Sequence, residues 1–239
     1  MKKFVSFVFV CGMSLVNASG LFAQEGGLSE VHNVFREKFV QGGVEWMTPI
    51  LLLLIFGLAI AIERIIYLNL ATTNTNKLLK AIQDALDADG PEAAKEVCRN
   101  TKGPVASIFY QGFERYDEGT EMIEKAIVSY GGVQMGKLES GMVWLQLFIA
   151  LAPSLGFLGT VIGMIKAFDD IAQAGDISPN IVAEGMMIAL LTTVFGLIVA
   201  MILQVFYNYL LNKINSLVNT MEDASISIMD ILVRYKAKN

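Results

Sequence analysis

Three stretches of the chain are apolar for the length of a membrane crossing, and the charges fall between them. Residues 46–62 carry no charge until Glu63 and Arg64. Residues 142–165 have Trp144 near one end and Lys166 just past the other. Residues 185–207 contain no charged side chain. A helix needs about 20 apolar residues to cross the hydrocarbon core. Each stretch therefore predicts a transmembrane helix, over 46–68, 141–168 and 185–208. Glu63, Arg64 and Tyr67 fall where long or amphipathic side chains reach the headgroups. The expected fold is an all-α integral membrane protein with three transmembrane helices.

The chain begins with Lys2 and Lys3, an apolar run over 4–16, small residues, then Phe22-Ala23-Gln24. That is the layout of a secretory signal peptide over 1–23, cut near Ala23. The alternative is an uncleaved anchor, for which the run is short. The polar, mildly acidic segment 24–45 would follow to the outside as a periplasmic N-terminal segment. The Lys/Arg distribution gives orientation independently. The loop 169–184 has no Lys or Arg but holds Asp169, Asp170, Asp176 and Glu184. The tail 209–239 carries Lys213, Arg234, Lys236 and Lys238, and the long loop 69–140 carries eight more basic residues. Both lines put the tail and the long loop in the cytoplasm, and the loop 169–184 in the periplasm.

The long loop reads as helical. Leu78, Leu79, Ile82 and Leu86 form a stripe at helical spacing, ended by Asp89-Gly90-Pro91. A short helix follows over 92–99. Gly103-Pro104 interrupts, and 105–116 resumes. After Gly119 no proline occurs before Pro153, so the second membrane helix is expected to begin inside the cytoplasm. Ile214, Val218, Met221, Ile228, Leu232 and Tyr235 continue the third helix in a four-three rhythm interrupted at Ser225. Helices 2 and 3 are thus expected to extend into the cytoplasm and pack there.

Composition narrows the chemistry. The chain is 54% hydrophobic and 17% charged, against about 25% charged in soluble domains, which excludes a disordered protein. A net charge of −5 speaks against nucleic acid as a partner. His32 is the one histidine, so a HExxH zinc site is excluded. Cys11 and Cys98 support neither a disulfide framework nor a metal cluster, and Cys98 reads as a reduced thiol. Neither a phosphate loop, a dinucleotide fingerprint nor a nucleophile elbow is present. No metal, no cofactor and no enzymatic activity are expected.

The informative feature is a trace of small and hydroxylated residues inside the apolar spans. Pro153, Gly156, Thr160 and Gly163 follow one another by three, four and three residues, along one helix face. Gly185, Ala189, Thr193, Gly196 and Ala200 do the same on the third span. Gly159 and Gly163 have the spacing that lets membrane helices approach closely. Such stripes either pack against another helix, with each threonine bonded back to its own backbone, or line a narrow passage with Thr160 and Thr193 as polar stations. The middle of every span lacks Asp, Glu, His, Lys and Arg. A proton path through a membrane uses a titratable group. If this chain conducts protons, another chain must bring that group.

At these residues the chain resembles the ExbB/TolQ/MotA family of ion-driven motor subunits, and within it ExbB. The second span reads Ala152-Pro153-Ser154-Leu155-Gly156-Phe157-Leu158-Gly159-Thr160-Val161-Ile162-Gly163-Met164-Ile165. The third reads Val182-Ala183-Glu184-Gly185, then Ala189-Leu190-Leu191-Thr192-Thr193, Gly196-Leu197 and Ala200, closed by Tyr207-Asn208. Glu63-Arg64 after the first span also fits. The resemblance implies a homopentamer whose second and third helices line a central pore, with Thr160, Thr193 and Thr192 on its wall. It implies an ExbD-like single-span partner that brings a membrane aspartate. It also implies a TonB-like protein that carries the work to outer-membrane importers of siderophores, vitamin B12 or other nutrients. One departure is visible. The family often carries glutamate five residues before the third-helix threonine, where this chain has Ile188. Glu184, a turn further out, is then a candidate for ion entry or a plain interfacial residue. Two other expectations remain: a TolQ-like subunit serving envelope integrity, and a non-conducting structural membrane scaffold.

Overall fold

The computed structural model describes residues 27–175 and 179–238. The expected signal peptide lies outside the described residues. Those described are helical, in the order α1 (Gly27–Gln41), α2 (Val44–Ala71), α3 (Thr75–Asp89), α4 (Pro91–Asn100), α5 (Pro104–Glu114), a 3-10 turn (Tyr116–Glu118), α6 (Thr120–Glu139), α7 (Met142–Ala174) and α8 (Pro179–Lys238). No strand occurs among them. Helices α2, α7 and α8 each contain a window long and apolar enough to cross a membrane. The all-α, three-span expectation therefore holds.

The chain forms two compact units. One comprises the described residues up to Thr48 together with Phe157–Val194; the other comprises Pro49–Gly156 and the chain from Phe195 onward. In the first unit, α1 ends in a two-glycine turn. Gly43 has φ 81°, a conformation that costs glycine nothing, and the turn lies against Ile188 and Leu191 of α8. Beside it, α7 and α8 run antiparallel. Ala174 and Pro179 lie inside helices, so helix continues through most of the described part of the segment read as the periplasmic loop.

The second unit holds the larger core. Ile82, Leu86, Ile108, Phe109, Ile123, Leu145, Leu203, Leu210 and Ile228 are buried in one cluster. Its short helices start and stop where the sequence dictates. Asn74 caps α3 by accepting from Lys77 N at 3.2 Å. Gly90, at φ 84°, ends α3, and Pro91 opens α4, the usual glycine-after, proline-first asymmetry. The stripe of α3 buries Leu78, Ile82 and Leu86. On α8 the buried line is Leu210, Ile214, Leu217, Met221, Ala224, Ile228 and Leu232. The rhythm is therefore unbroken: Ala224 fills the place where the pattern seemed to stop at Ser225. Lys236 ties the end of α8 down, donating to Tyr116 O at 2.9 Å with its ammonium 4.5 Å from the centroid of the Tyr116 ring.

One expectation changes. The second span does not run unbroken from the cytoplasmic side: α6 ends at Glu139 and α7 begins at Met142, with Gly141 at φ 83° between them. The Ser140-Gly141 dipeptide after Lys137 is a helix-stop signal, and the missing proline hid it.

Cys98 is buried among the core residues, and burial pushes its thiol up to about 12. An acid with a raised folded value stays neutral well beyond the pH at which the exposed thiol ionises, near 8.5, so only the unfolded chain presents thiolate at pH 8. Iodoacetamide at pH 8 should leave Cys98 unmodified in the folded protein and label it within minutes in denaturant, as read by mass spectrometry.

Candidate functional site

The sequence placed its candidate residues on two helical stripes, and within the first unit the structure brings the stripes together. Backbones touch. A β-carbon added at Gly163 would lie 3.1 Å from Ala189 N and 3.2 Å from Gly185 O. One added at Gly159 would lie 2.7 Å from Thr192 Oγ1, and Gly185 faces Ala167 in the same way. Contacts this tight admit a β-carbon only if a neighbour shifts, and at Gly163 the neighbours are backbone atoms. In the second unit, Gly196 is equally close to its neighbours, with an added β-carbon 2.5 Å from Ala152 O and 3.2 Å from Gly156 Cα. Pro153 and Ala200 are half-buried there.

On the α7–α8 contact of the first unit the three threonines behave differently. Thr192 is fully buried, and its hydroxyl donates back to Ala189 O at 2.9 Å and Ile188 O at 3.2 Å. This is the self-bonded state of a packing threonine. Thr160 instead reaches across to the other helix, donating to Ala189 O at 3.0 Å. Its hydroxyl is also hydrogen-bonded to that of Thr193, which lies 3.4 Å from the same carbonyl. Each hydroxyl has one proton to give. The order Thr193 to Thr160 to Ala189 O uses each of these protons once. Both Thr160 and Thr193 are half-buried. The pair is a polar link between two apolar helices, and Ala189, chosen from the sequence only as a small residue, supplies the acceptor. Glu184 is exposed one turn before Ile188, which is half-buried against Gly43.

The apolar windows are mostly uncovered. Only 17%, 22% and 33% of the windows on α2, α7 and α8 is buried within the chain. Phe157, Val161, Ile165, Leu190, Val194 and Met201 are all exposed. Such a surface requires lipid or further protein against it. Among the described residues, no group of three or more His, Cys, Asp or Glu side chains converges as a metal site would.

A multi-pass helical membrane protein with a hydroxyl link on a glycine-lined helix contact is the class that fold and geometry define. The family described as the MotA/TolQ/ExbB proton channel family matches residues 100–223, more than half of the 239 residues. The chain belongs to that family, and within it is most like ExbB. It is 30% identical over 192 residues to an ExbB homolog of Methanothermobacter thermautotrophicus, covering 78% of this chain and 66% of that protein. It is 32% identical over 127 residues to the biopolymer transport protein exbB1 of Vibrio cholerae, covering 50% and 56%. With the biopolymer transport protein ExbB of Salmonella typhimurium it shares 32% over 107 residues, covering 45% and 42%. The chain thus spans less than two thirds of the length of each of these relatives.

The contact geometry makes a direct prediction. Gly163→Leu forces α7 and α8 apart and should cost about 1–3 kcal/mol, lowering the thermal unfolding midpoint in detergent. Gly131→Ala, where an added β-carbon meets nothing, should leave the midpoint unchanged or raise it.

Proposed function

We propose that this chain is the pore-forming subunit of a proton-motive-force-driven motor in the bacterial inner membrane, energising TonB-dependent transport across the outer membrane. The observation that carries the reading is the Thr160–Thr193 hydroxyl pair on charge-free stretches of two helices in a proton channel family member. In this reading several copies, five by the family resemblance, present α7 and α8 to a shared interior. An ExbD-like single-span subunit brings the titrating aspartate, and a TonB-like protein takes up the work. The N-terminal segment is periplasmic, and α3 to α6 with the end of α8 are cytoplasmic. The chain's work is mechanical, and it carries no catalytic group of its own.

Physical magnitudes are compatible with this role. One charge moving through the membrane potential releases about 2.3 kcal/mol per 100 mV. By turning from Thr160 to a passing carboxylate, the Thr193 hydroxyl would exchange one hydrogen bond for another worth about 1 kcal/mol net. That is enough to ease its movement and too little to trap it. Thr192, turned into the helix contact, would then hold the wall together while Thr160 and Thr193 serve the ion path.

A scaffold reading has one observation in its favour: Gly159, Gly163, Gly185 and Gly196 are all used in helix packing. Valine substitutions separate the two, because valine keeps the threonine shape and removes the hydroxyl. In cells whose own copy is deleted, Thr193→Val and Thr160→Val should each reduce energy-dependent siderophore uptake at least tenfold, while the complex purifies at its normal size. Normal uptake by both variants would leave the scaffold. Detergent sensitivity of the deletion strain with normal uptake would instead indicate a TolQ-like role.

A further inference from the structure

Arg64 sits at the end of the apolar run of α2, where an arginine is free to extend toward headgroups and water. It does not: its side chain is only 15% exposed. Its Nε donates to Glu63 Oε2 at 2.7 Å, and its Nη1 donates to Lys137 O at 3.4 Å, in the last turn of α6. Its guanidinium lies 5.1 Å from the Tyr67 ring centroid. The last carbonyls of a helix lack partners within it and carry partial negative charge. The lysine of that turn does not serve them with its own ammonium, which is over the Tyr130 ring. A cation from a different helix serves them instead.

The second observation is independent. Gly141 follows the Ser140 cap at φ 83°, the left-handed position after a helix end. A β-carbon there would lie 3.2 Å from Arg64 Nε and 3.6 Å from Arg64 Cδ. The break thus needs glycine twice, once for its backbone and once for the room that Arg64 fills. Both partners of the contact have given up the ordinary alternative, Arg64 its exposure and position 141 its side chain.

From this we propose that Ser140–Gly141 is a joint between α6 and α7, and that Arg64 is the positioning residue that sets its angle. The guanidinium grips the carbonyl end of α6 while its planar face lies beside Tyr67 and its Nε meets Glu63. The angle is therefore referenced to α2, not to α7 itself. Lysine cannot reproduce this, because an ammonium is a point charge without a planar fork. The inference goes beyond the ion-driven reading and does not depend on it.

Spin labels at Leu70 on α2 and Val133 on α6, both exposed, test it in the full chain with Cys11 and Cys98 replaced by alanine, in lipid without any ion gradient. Pulsed electron resonance should give one narrow distance distribution for the parent. Arg64→Gln should broaden it or shift it by several ångströms, and Arg64→Lys should fail to restore it. Gly141→Ala should disturb the parent more than an Arg64→Ala background, since Arg64 Nε and Cδ are gone there while Ile60 Cγ2 and the backbone strain remain in both. An unchanged distribution in Arg64→Gln, full restoration by lysine, or an equal effect of Gly141→Ala in both backgrounds would overturn the proposal.

Discussion

The membrane part of this protein depends on two backbones in contact. Where Gly163 meets Gly185 and Ala189, the helices approach so closely that a side chain at 163 would push them apart. In lipid the hydrophobic effect does not drive helices together, because the tails are as apolar as leucine. Close packing and interhelical hydrogen bonds must do it instead. The glycines supply the first. By bringing the backbones together they also place Thr160 within reach of Ala189 O on the opposite helix, which supplies the second. The hydroxyl pair is therefore a consequence of the small-residue contact.

The middle of each span lacks any charge, and most of the spans' apolar surface faces away from the chain. A solitary chain would hide that surface only in lipid. The middle of its spans holds no acid or base, and threonine hydroxyls orient and stabilise but do not ionise near neutral pH. This gives the proposed companion a chemical reason: it brings the acid to a wall that already holds the donors. The second unit holds short capped helices and a core around Ile82, Phe109 and Ile228.

Much of this was legible in the sequence because lipid imposes a simple rule. Long runs without charge become spans, and glycines at helical spacing become contacts. The breaks at Gly90-Pro91 and Gly103-Pro104 were equally plain, because proline and glycine alter the backbone directly. Three things were hidden. Ala224 is apolar but small, so the stripe on α8 seemed to lapse at Ser225 when it continued one residue earlier. The break at Gly141 carries no proline, and only the Ser-Gly pair marks it. Arg64 looked like a headgroup anchor because its partners, Lys137 O and Gly141, lie more than 70 residues away along the chain. The stripe named Thr193 and passed over Thr192, which the resemblance alone placed on the pore wall. They are adjacent, yet a helix turns about 100° between them, which buries one against Gly159 and leaves the other on the edge of the contact.

The central claim is that this chain is an uncharged wall whose proton carrier resides on another polypeptide. Proton flux into sealed liposomes under an imposed potential tests it most directly, with the chain reconstituted alone and then with its single-span companion. The account predicts tight vesicles for the chain alone, and flux with the companion that disappears when the companion's membrane aspartate becomes asparagine. Proton flux through the chain by itself would contradict it.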